Sequence, residues 1–194
     1  MTIILNNVSK SYGDKVALNN FRAEIEWGKC YAFVGPAGCG KTTALKLFMG
    51  LEKPDQGEVA RMGDYKYPTL HSAYVSQEGS LNPKKNALDN VRAAHRFLGK
   101  EKPREILSKF IEPEQLLLKV SELTDVEKRF VELVKASFMV ADFIVLDEPF
   151  YGMTKEQRLA AIEFLLDFRG SRPTIIASRD ESDLDFAKVI HIKA

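Results

Sequence analysis

The nine residues Gly35-Pro-Ala-Gly-Cys-Gly-Lys-Thr-Thr43 carry the most chemistry for their length in this chain. They fit G-x-x-x-x-G-K-[ST] with Gly35, Gly40, Lys41 and Thr42 in register. Glycines let a backbone turn so tightly that its N–H groups converge as a nest for phosphate oxygens. Pro36, Ala37, Gly38 and Cys39 span that loop, and Thr43 continues from it into a helix whose positive dipole end adds to the pull on an anion. In this pattern Lys41 reaches the β- and γ-phosphates and the Thr42 hydroxyl ligates Mg²⁺. The plain alternative, a glycine-rich turn that binds nothing, has both the pattern and its strand-to-helix setting against it. The expectation is a bound nucleoside triphosphate.

A second group of polar residues stands at the ends of apolar runs. Asp147 closes Phe143-Ile-Val-Leu and is followed by Glu148, 106 positions after Lys41. One carboxylate can hold the metal while the next orients or deprotonates an attacking water. The alternative is a purely structural acidic pair that caps the next helix. Gln77 ends another short run and is placed to touch the metal or the water, unless it is an exposed loop glutamine. Tyr12, in Ser11-Tyr-Gly-Asp14, either covers a hairpin end or stacks on a base.

The elements that must position these residues are legible from periodicity and punctuation. Residues 2–9 and 16–25 are expected as strands, and Glu26-Trp-Gly-Lys29 as a turn leading into the strand Cys30–Val34. Thr43 to Met49 reads as a helix closed by Gly50, Glu52–Gly57 as a turn, and Glu58–Arg61 and His71–Ser76 as strands. Leu88, Val91, Ala94 and His95 have helical spacing, and Pro103–Phe110 and Glu114–Leu118 are short helical pieces broken at Pro113. Thr154 to Phe168 forms a helix opened by the capping box Thr154-x-x-Gln157, with Leu159, Ile162 and Leu166 on its buried face. Pro173–Ser178 and Lys188–Ile192 complete the strands. Strands alternating with helices around a phosphate loop predict an α/β, P-loop NTPase fold with a mainly parallel central sheet, N-terminal antiparallel strands and an inserted helical lobe. The chain divides as a single domain, with 1–85 and 141–194 as the nucleotide-binding core and 86–140 as the lobe. Ligands on such sheets sit at the carboxyl ends of the strands, which groups Gly35, Asp147 and Ser178 on one edge.

Composition excludes several classes. Hydrophobic residues are 45% and charged residues 28%, as in a globular protein with enough apolar surface for a core. Lys plus Arg is 28 against 27 for Asp plus Glu, a balance unlike that of a dedicated nucleic-acid binder. No apolar run approaches a membrane span and the N-terminus lacks a secretory pattern, so a cytosolic protein is expected unless a partner holds it at a membrane. Two cysteines, Cys30 and Cys39, make no disulfide framework, and His71, His95 and His191 are scattered without zinc-type spacing.

Gly35–Thr43, Gln77 in Val-Ser-Gln-Glu, and Val145-Leu-Asp-Glu-Pro149 occur in order around a helical insertion. With them the chain resembles the ATP-binding subunit of an ABC transporter over nearly its whole length. The resemblance implies ATP and Mg²⁺ as cofactors. Val8-Ser-Lys-Ser-Tyr-Gly13 is similar to the family's aromatic loop, which makes Tyr12 the adenine platform. Lys41 and Thr42 match its phosphate and Mg²⁺ residues, Gln77 its Q-loop glutamine, Asp147 its Walker B aspartate, and Glu148 its catalytic carboxylate. The family works as a dimer, each ATP lying between one subunit's phosphate loop and the other's signature segment. Closure drives transmembrane permease subunits on other chains. Implied, therefore, is a cytoplasmic protein associated peripherally with the inner face of the cell membrane, as a homodimer or with a second ABC ATPase, and without nucleic acid.

Five departures stand out. The signature Leu-Ser-Gly-Gly-Gln falls by spacing on Leu123-Thr-Asp-Val-Glu127, where Thr124-x-x-Glu127 is a capping box that satisfies the helix end from within. Asp125 and Glu127 also place two negative charges in the first turn. A carboxylate ~5 Å from a phosphate charge costs roughly 3 kcal/mol at an effective dielectric near 20, about two decades of affinity. An ordinary helix start explains Thr124–Glu127 as well as a functional segment does. Thr154 stands at the D-loop aspartate, and Arg179 at the switch histidine, where it pairs with a γ-phosphate or is a surface loop residue. From Gln77 to Leu123 is 46 positions, short for a lobe that docks a membrane subunit, and no room is expected for a C-terminal regulatory domain. The first expectation is a slowly hydrolysing ATPase subunit, or one paired with a subunit of better signature. The second is a nucleotide-gated regulatory or assembly subunit with little turnover. A phosphate-loop kinase is third, opposed by the Asp-Glu pair and the Gln77 loop. Asp147-Glu-Pro-Phe150 and Asp89-Asn-Val91 lean towards importer-type subunits.

Overall fold

A computed structural model describes residues 2–62 and 70–193. Its residues group into two units, one of 1–72, 142–148 and 171–194, the other of 73–141 and 149–170.

The first unit holds two sheets. Alternating burial along β1 (Thr2–Tyr12) and β2 (Lys15–Glu26) matches antiparallel strands with one covered face, and β4 (Gln56–Met62) pairs on the other side of β1. The parallel sheet contains β3 (Cys30–Val34), β6 (Phe143–Asp147), β7 (Thr174–Ser178) and β8 (Lys188–His191), in the order β6-β7-β3-β8. Every residue of β3 and β6 is buried, the mark of strands covered on both faces. Between the sheets runs α1 (Lys41–Met49), burying Ala44, Leu45, Leu47 and Phe48. Phe48 meets Phe143 edge to face at 5.3 Å, and Phe21 meets Phe33 likewise at 5.4 Å. Gly50 ends α1 in the left-handed region (φ 74°), its N–H bonding the Leu47 carbonyl, as expected of a glycine stop.

The second unit takes in most of β5 (Ser72–Val75), then α2 (Ala87–Arg92), α3 (Glu101–Leu107), α4 (Asp125–Ser137) and α5 (Lys155–Arg169). Phe110 stacks on Phe130 of α4 at 4.6 Å and meets Phe164 of α5 at 5.4 Å. Both predicted capping boxes form, at Thr124/Glu127 and Thr154/Gln157.

Three local expectations need correction. Helical spacing to His95 overshoots, because α2 ends at Arg92 and residues 93–95 form a turn. The piece at 114–118 is a single 3₁₀ turn, Gln115–Leu117. On α5 the buried residues are Ala161, Ile162 and Leu165, whereas Leu159 and Leu166 are exposed. The apolar pattern on that helix allows two overlapping faces, and packing selects the one led by the smaller Ala161.

Candidate functional site

Val34 ends β3, the Ile192 amide donates to its carbonyl at 2.8 Å, and the Gly35 amide donates to Ser178 at 3.2 Å. The loop therefore leaves the sheet from a fixed point. Two of its glycines are required by space. A Cβ on Gly35 would stand 2.3 Å from the Ile192 carbonyl oxygen, and one on Gly40 2.0 Å from that of Ala17, where φ is also 97°. Gly40 is the N-cap of α1, with no side-chain cap and no acid in the first turn, so this helix start presents amides alone to an anion. Pro36, Ala37 and Gly38 are exposed, whereas Cys39 and Thr43 are buried.

Lys41 is only 6% exposed. Its ammonium donates to the carbonyls of Gly35 at 2.6 Å and Pro36 at 2.9 Å, and lies 3.4 Å from Glu148 Oε1. Next to it, the Thr42 hydroxyl donates to Asp147 Oδ2 at 2.6 Å, across 105 positions of sequence. Two hard oxygen donors held this close suit Mg²⁺, which takes one or two protein oxygens and completes its shell with water and phosphate.

Glu148 is buried and its backbone is left-handed at φ 51°, strain that a non-glycine residue adopts only where its surroundings enforce it. Its amide donates to Ala177 at 2.9 Å, which fixes the turn out of β6. Burial pushes the Glu148 carboxyl above the ordinary glutamate value, against the opposing pull of Lys41 and Arg179. Arg179 Nε lies 3.7 Å from Glu148 Oε1, so its position at the end of β7 brings it to the acid. Lys41, Thr42, Asp147, Glu148 and Arg179 thus form one cluster at the carboxyl edge of the parallel sheet.

Tyr12 is the last residue of β1. Its hydroxyl donates to Glu52 Oε2, and Lys10 lies 5.8 Å from its ring centroid. Burial first, then the bond to Glu52, raises the phenol above its ordinary value, while a bond to Thr43 opposes this. The ring is therefore pinned beside the start of α1. Glu52 and Lys15 escaped sequence reading. Glu52 also pairs with Lys46 at 3.2 Å, and Lys15 Nζ would lie 3.8 Å from a Cβ on Gly38. Lys15 carries a signal in its charge three residues from Tyr12; Glu52 carries none, since its partners come from two other elements.

Gln77 is exposed and belongs to the second unit. With Glu78, Lys128, Arg129, Glu132 and Tyr151 it lines a cavity of ≈ 520 Å³ in that unit. At the start of α4 the Glu127 carboxylate accepts the Thr124 N–H at 2.7 Å, and the Thr124 hydroxyl accepts the Glu127 N–H at 3.3 Å. Asp125 is almost fully exposed and pairs with Lys128 at 3.1 Å. Among the described residues no group of three or more His, Cys, Asp or Glu is arranged to hold a metal, and no helix is long and apolar enough to cross a membrane.

A phosphate loop between β3 and α1, at the carboxyl edge of a parallel sheet, defines the P-loop NTPase class. The solved structures agree on the fold. A putative ABC transporter ATP-binding protein from Pyrococcus furiosus superposes with TM-score 0.83 at 24% identity, over 99% of this chain and 98% of that one. A dimeric post-hydrolysis state of an ATP-binding cassette bound to ADP and Pi superposes with TM-score 0.82 at 21% identity, over 100% of this chain and 94% of that one. The family model for ABC transporter matches residues 18–151. The chain belongs to the ABC transporter ATP-binding family. A curated relative, Nod factor export ATP-binding protein I of Burkholderia orbicola, is 31% identical over 90% of this chain and 61% of its own length. Sulfate/thiosulfate import ATP-binding protein CysA of Pseudomonas putida is 32% identical over 81% of this chain and 52% of its own. The chain thus spans about three fifths of the first relative it matches.

Proposed function

We propose that this chain is the ATP-binding, slowly hydrolysing subunit of an ABC transporter, coupling Mg-ATP-driven dimer closure to transmembrane permease subunits on other chains. The observation that carries it is the 2.6 Å bond from Thr42 to Asp147, which joins the phosphate loop to the end of an apolar strand in the way a triphosphate-bound Mg²⁺ requires. In this proposal the loop amides from Gly35 to Thr43 hold the phosphates, and Lys41 exchanges its carbonyl partners for phosphate oxygens. Tyr12 stacks on the base. Thr42 and Asp147 would hold Mg²⁺, which when bound would supply charge neutralisation at the phosphates, and Gln77 is the residue proposed to touch the metal or the water. Glu148 orients the attacking water, and Arg179 steadies that carboxylate or the γ-phosphate.

Residues 1–85 and 141–194 serve as nucleotide core, and 86–140 as the lobe facing the permease. Such a subunit works in the cytoplasm at the inner face of the membrane, without nucleic acid. Its relatives include an export and an import ATP-binding protein, which supports a transport role of either direction. Calorimetry with Mg-ATP on wild type and Lys41→Ala tests binding: no heat from the folded wild type overturns the proposal. A brisk turnover of the isolated chain, abolished by Glu148→Gln, would overturn its slowness.

A second reading is favoured by one observation. The closed capping box at Thr124 and Glu127 takes up two of the amides at this helix start, and Asp125 and Glu127 add negative charge there, both of which disfavour a partner's γ-phosphate. On that ground the chain is a nucleotide-gated regulatory or assembly subunit that binds ATP with little turnover. Transport lost in Lys41→Ala but retained in Glu148→Gln selects it.

A further inference from the structure

Glu132 is a carboxylate in the middle of α4, 3% exposed, and no step of the nucleotide chemistry uses it. Burying a carboxylate is costly unless it is well hydrogen-bonded. Here the partners come from the segment 76–80: the Ser80 N–H donates to Glu132 Oε1 and the Ser80 hydroxyl to Oε2 at 3.2 Å. The residues three before and three after on the same helix grip the same segment. Arg129 donates to the carbonyls of Ser76, at 2.8 Å, and Gln77. Lys135 donates to the Ser80 carbonyl at 3.2 Å and hydroxyl at 2.8 Å. A cation, an anion and a cation along one helix ridge thus meet carbonyls, an amide and a carbonyl along the loop. The loop is shaped to accept them. The Gly79 amide donates to Ser76 at 3.1 Å, and Gly79 lies at φ 78°, where a Cβ would stand 3.1 Å from Glu132 Oε1. Only the backbone of Gln77 is engaged, and the residue stays exposed.

We propose that Glu132 is a positioning residue for Gln77: it fastens the segment 76–80 to α4 through the Ser80 amide, so that this segment and the helix starting at Thr124 move as one body. Its effect on turnover rests on the role proposed above for Gln77. Because α4 is a continuous helix from Asp125 to Ser137, a change at its first turn reaches the Gln77 loop with no flexible joint between. The acceptor for the Ser80 amide matters more than the charge. A glutamine keeps one acceptor for the Ser80 amide, whereas an alanine leaves the Ser80 amide and hydroxyl without the acceptor Glu132 provides.

The test compares wild type, Glu132→Ala, Glu132→Gln and Gly79→Ala, the last perturbing the latch from the loop side without opening the core. Amide exchange at Ser80 and Gly79 is read by NMR, with Mg-ATP affinity and kcat measured on the same samples. The expectation is at least tenfold faster Ser80 exchange and about tenfold lower kcat in Glu132→Ala, the scale of one lost charge-assisted hydrogen bond, with ATP affinity unchanged and Glu132→Gln close to wild type. Gly79→Ala should behave like Glu132→Ala. Unchanged Ser80 exchange in a folded Glu132→Ala overturns the latch, and faster exchange with unchanged kcat overturns its role in turnover. A wild type that binds no ATP would instead sink the nucleotide assignment, while the exchange data still decide the latch.

Discussion

Gly40→Ala tests whether the phosphate loop is shaped by space rather than by flexibility. The new methyl would stand 2.0 Å from the Ala17 carbonyl oxygen and 2.9 Å from Leu18 Cδ2, where ordinary contact begins at 3.4 Å. The loop must therefore retreat from β2 by about 3.4 − 2.0 = 1.4 Å. Holding an alanine in the left-handed region costs roughly 1–2 kcal/mol. Overpacking of this kind adds about 1–3 kcal/mol. The sum, ~2–5 kcal/mol, corresponds to a loss of roughly 5–20 °C in Tm for a chain of this size. A displacement near 1 Å at the site also costs on the order of a hundredfold in function. Gly13→Ala is the control, because Gly13 shares the left-handed backbone (φ 57°) but has no atom within 4 Å of its would-be Cβ. It should lose about 1 kcal/mol and keep its ATP affinity. Thermal melts and Mg-ATP calorimetry on both variants read the difference. Equal melting points with equal affinities would refute the steric account of Gly40.

Glu148→Gln should bind Mg-ATP at least as tightly as wild type and lose about a hundredfold or more in turnover, read by phosphate release, since the amide cannot take a proton. Thr124→Ala removes the N-cap of α4 and should cost about 1 kcal/mol in urea unfolding, with ATP affinity unaltered. The Glu52 carboxyl is held below its ordinary value of 4.5, first by the Tyr12 hydroxyl and then by Lys46. Its folded-state pKa is the lower one, so its stabilisation is fully present above the ordinary value of 4.5 and is lost as pH falls from there through the depressed folded-state value. Tyr12→Phe should therefore flatten the acid limb of a stability–pH curve; an unchanged limb would show that Lys46 alone holds Glu52.

Much of the site was legible because its chemistry is local. Gly35 to Thr43 is contiguous, and its glycine spacing follows from backbone geometry that any strand–loop–helix of this kind must satisfy. Strands β3 and β6 announced themselves as apolar runs, and the boxes at Thr124 and Thr154 as polar residues three positions apart. Tyr12 was placed in a turn yet completes β1, because pairing with Lys15 extends the ladder by residues that local turn chemistry would exclude.

Sequence alone determined the glycine-rich turn between a strand and a helix at Gly35–Thr43, the apolar runs of β3 and β6, and the capping box at Thr124. Those properties depend on neighbours a few positions apart, which a chain carries with it before it folds. Only the tertiary structure decided that Arg179 reaches Glu148, that Glu52 anchors Tyr12, that α5 buries Ala161 rather than Leu159, and that Glu132 grips Ser80. Each joins side chains from distant segments, and the energy that selects one such pairing over another comes from packing and desolvation, which exist only once the sheets and helices have met.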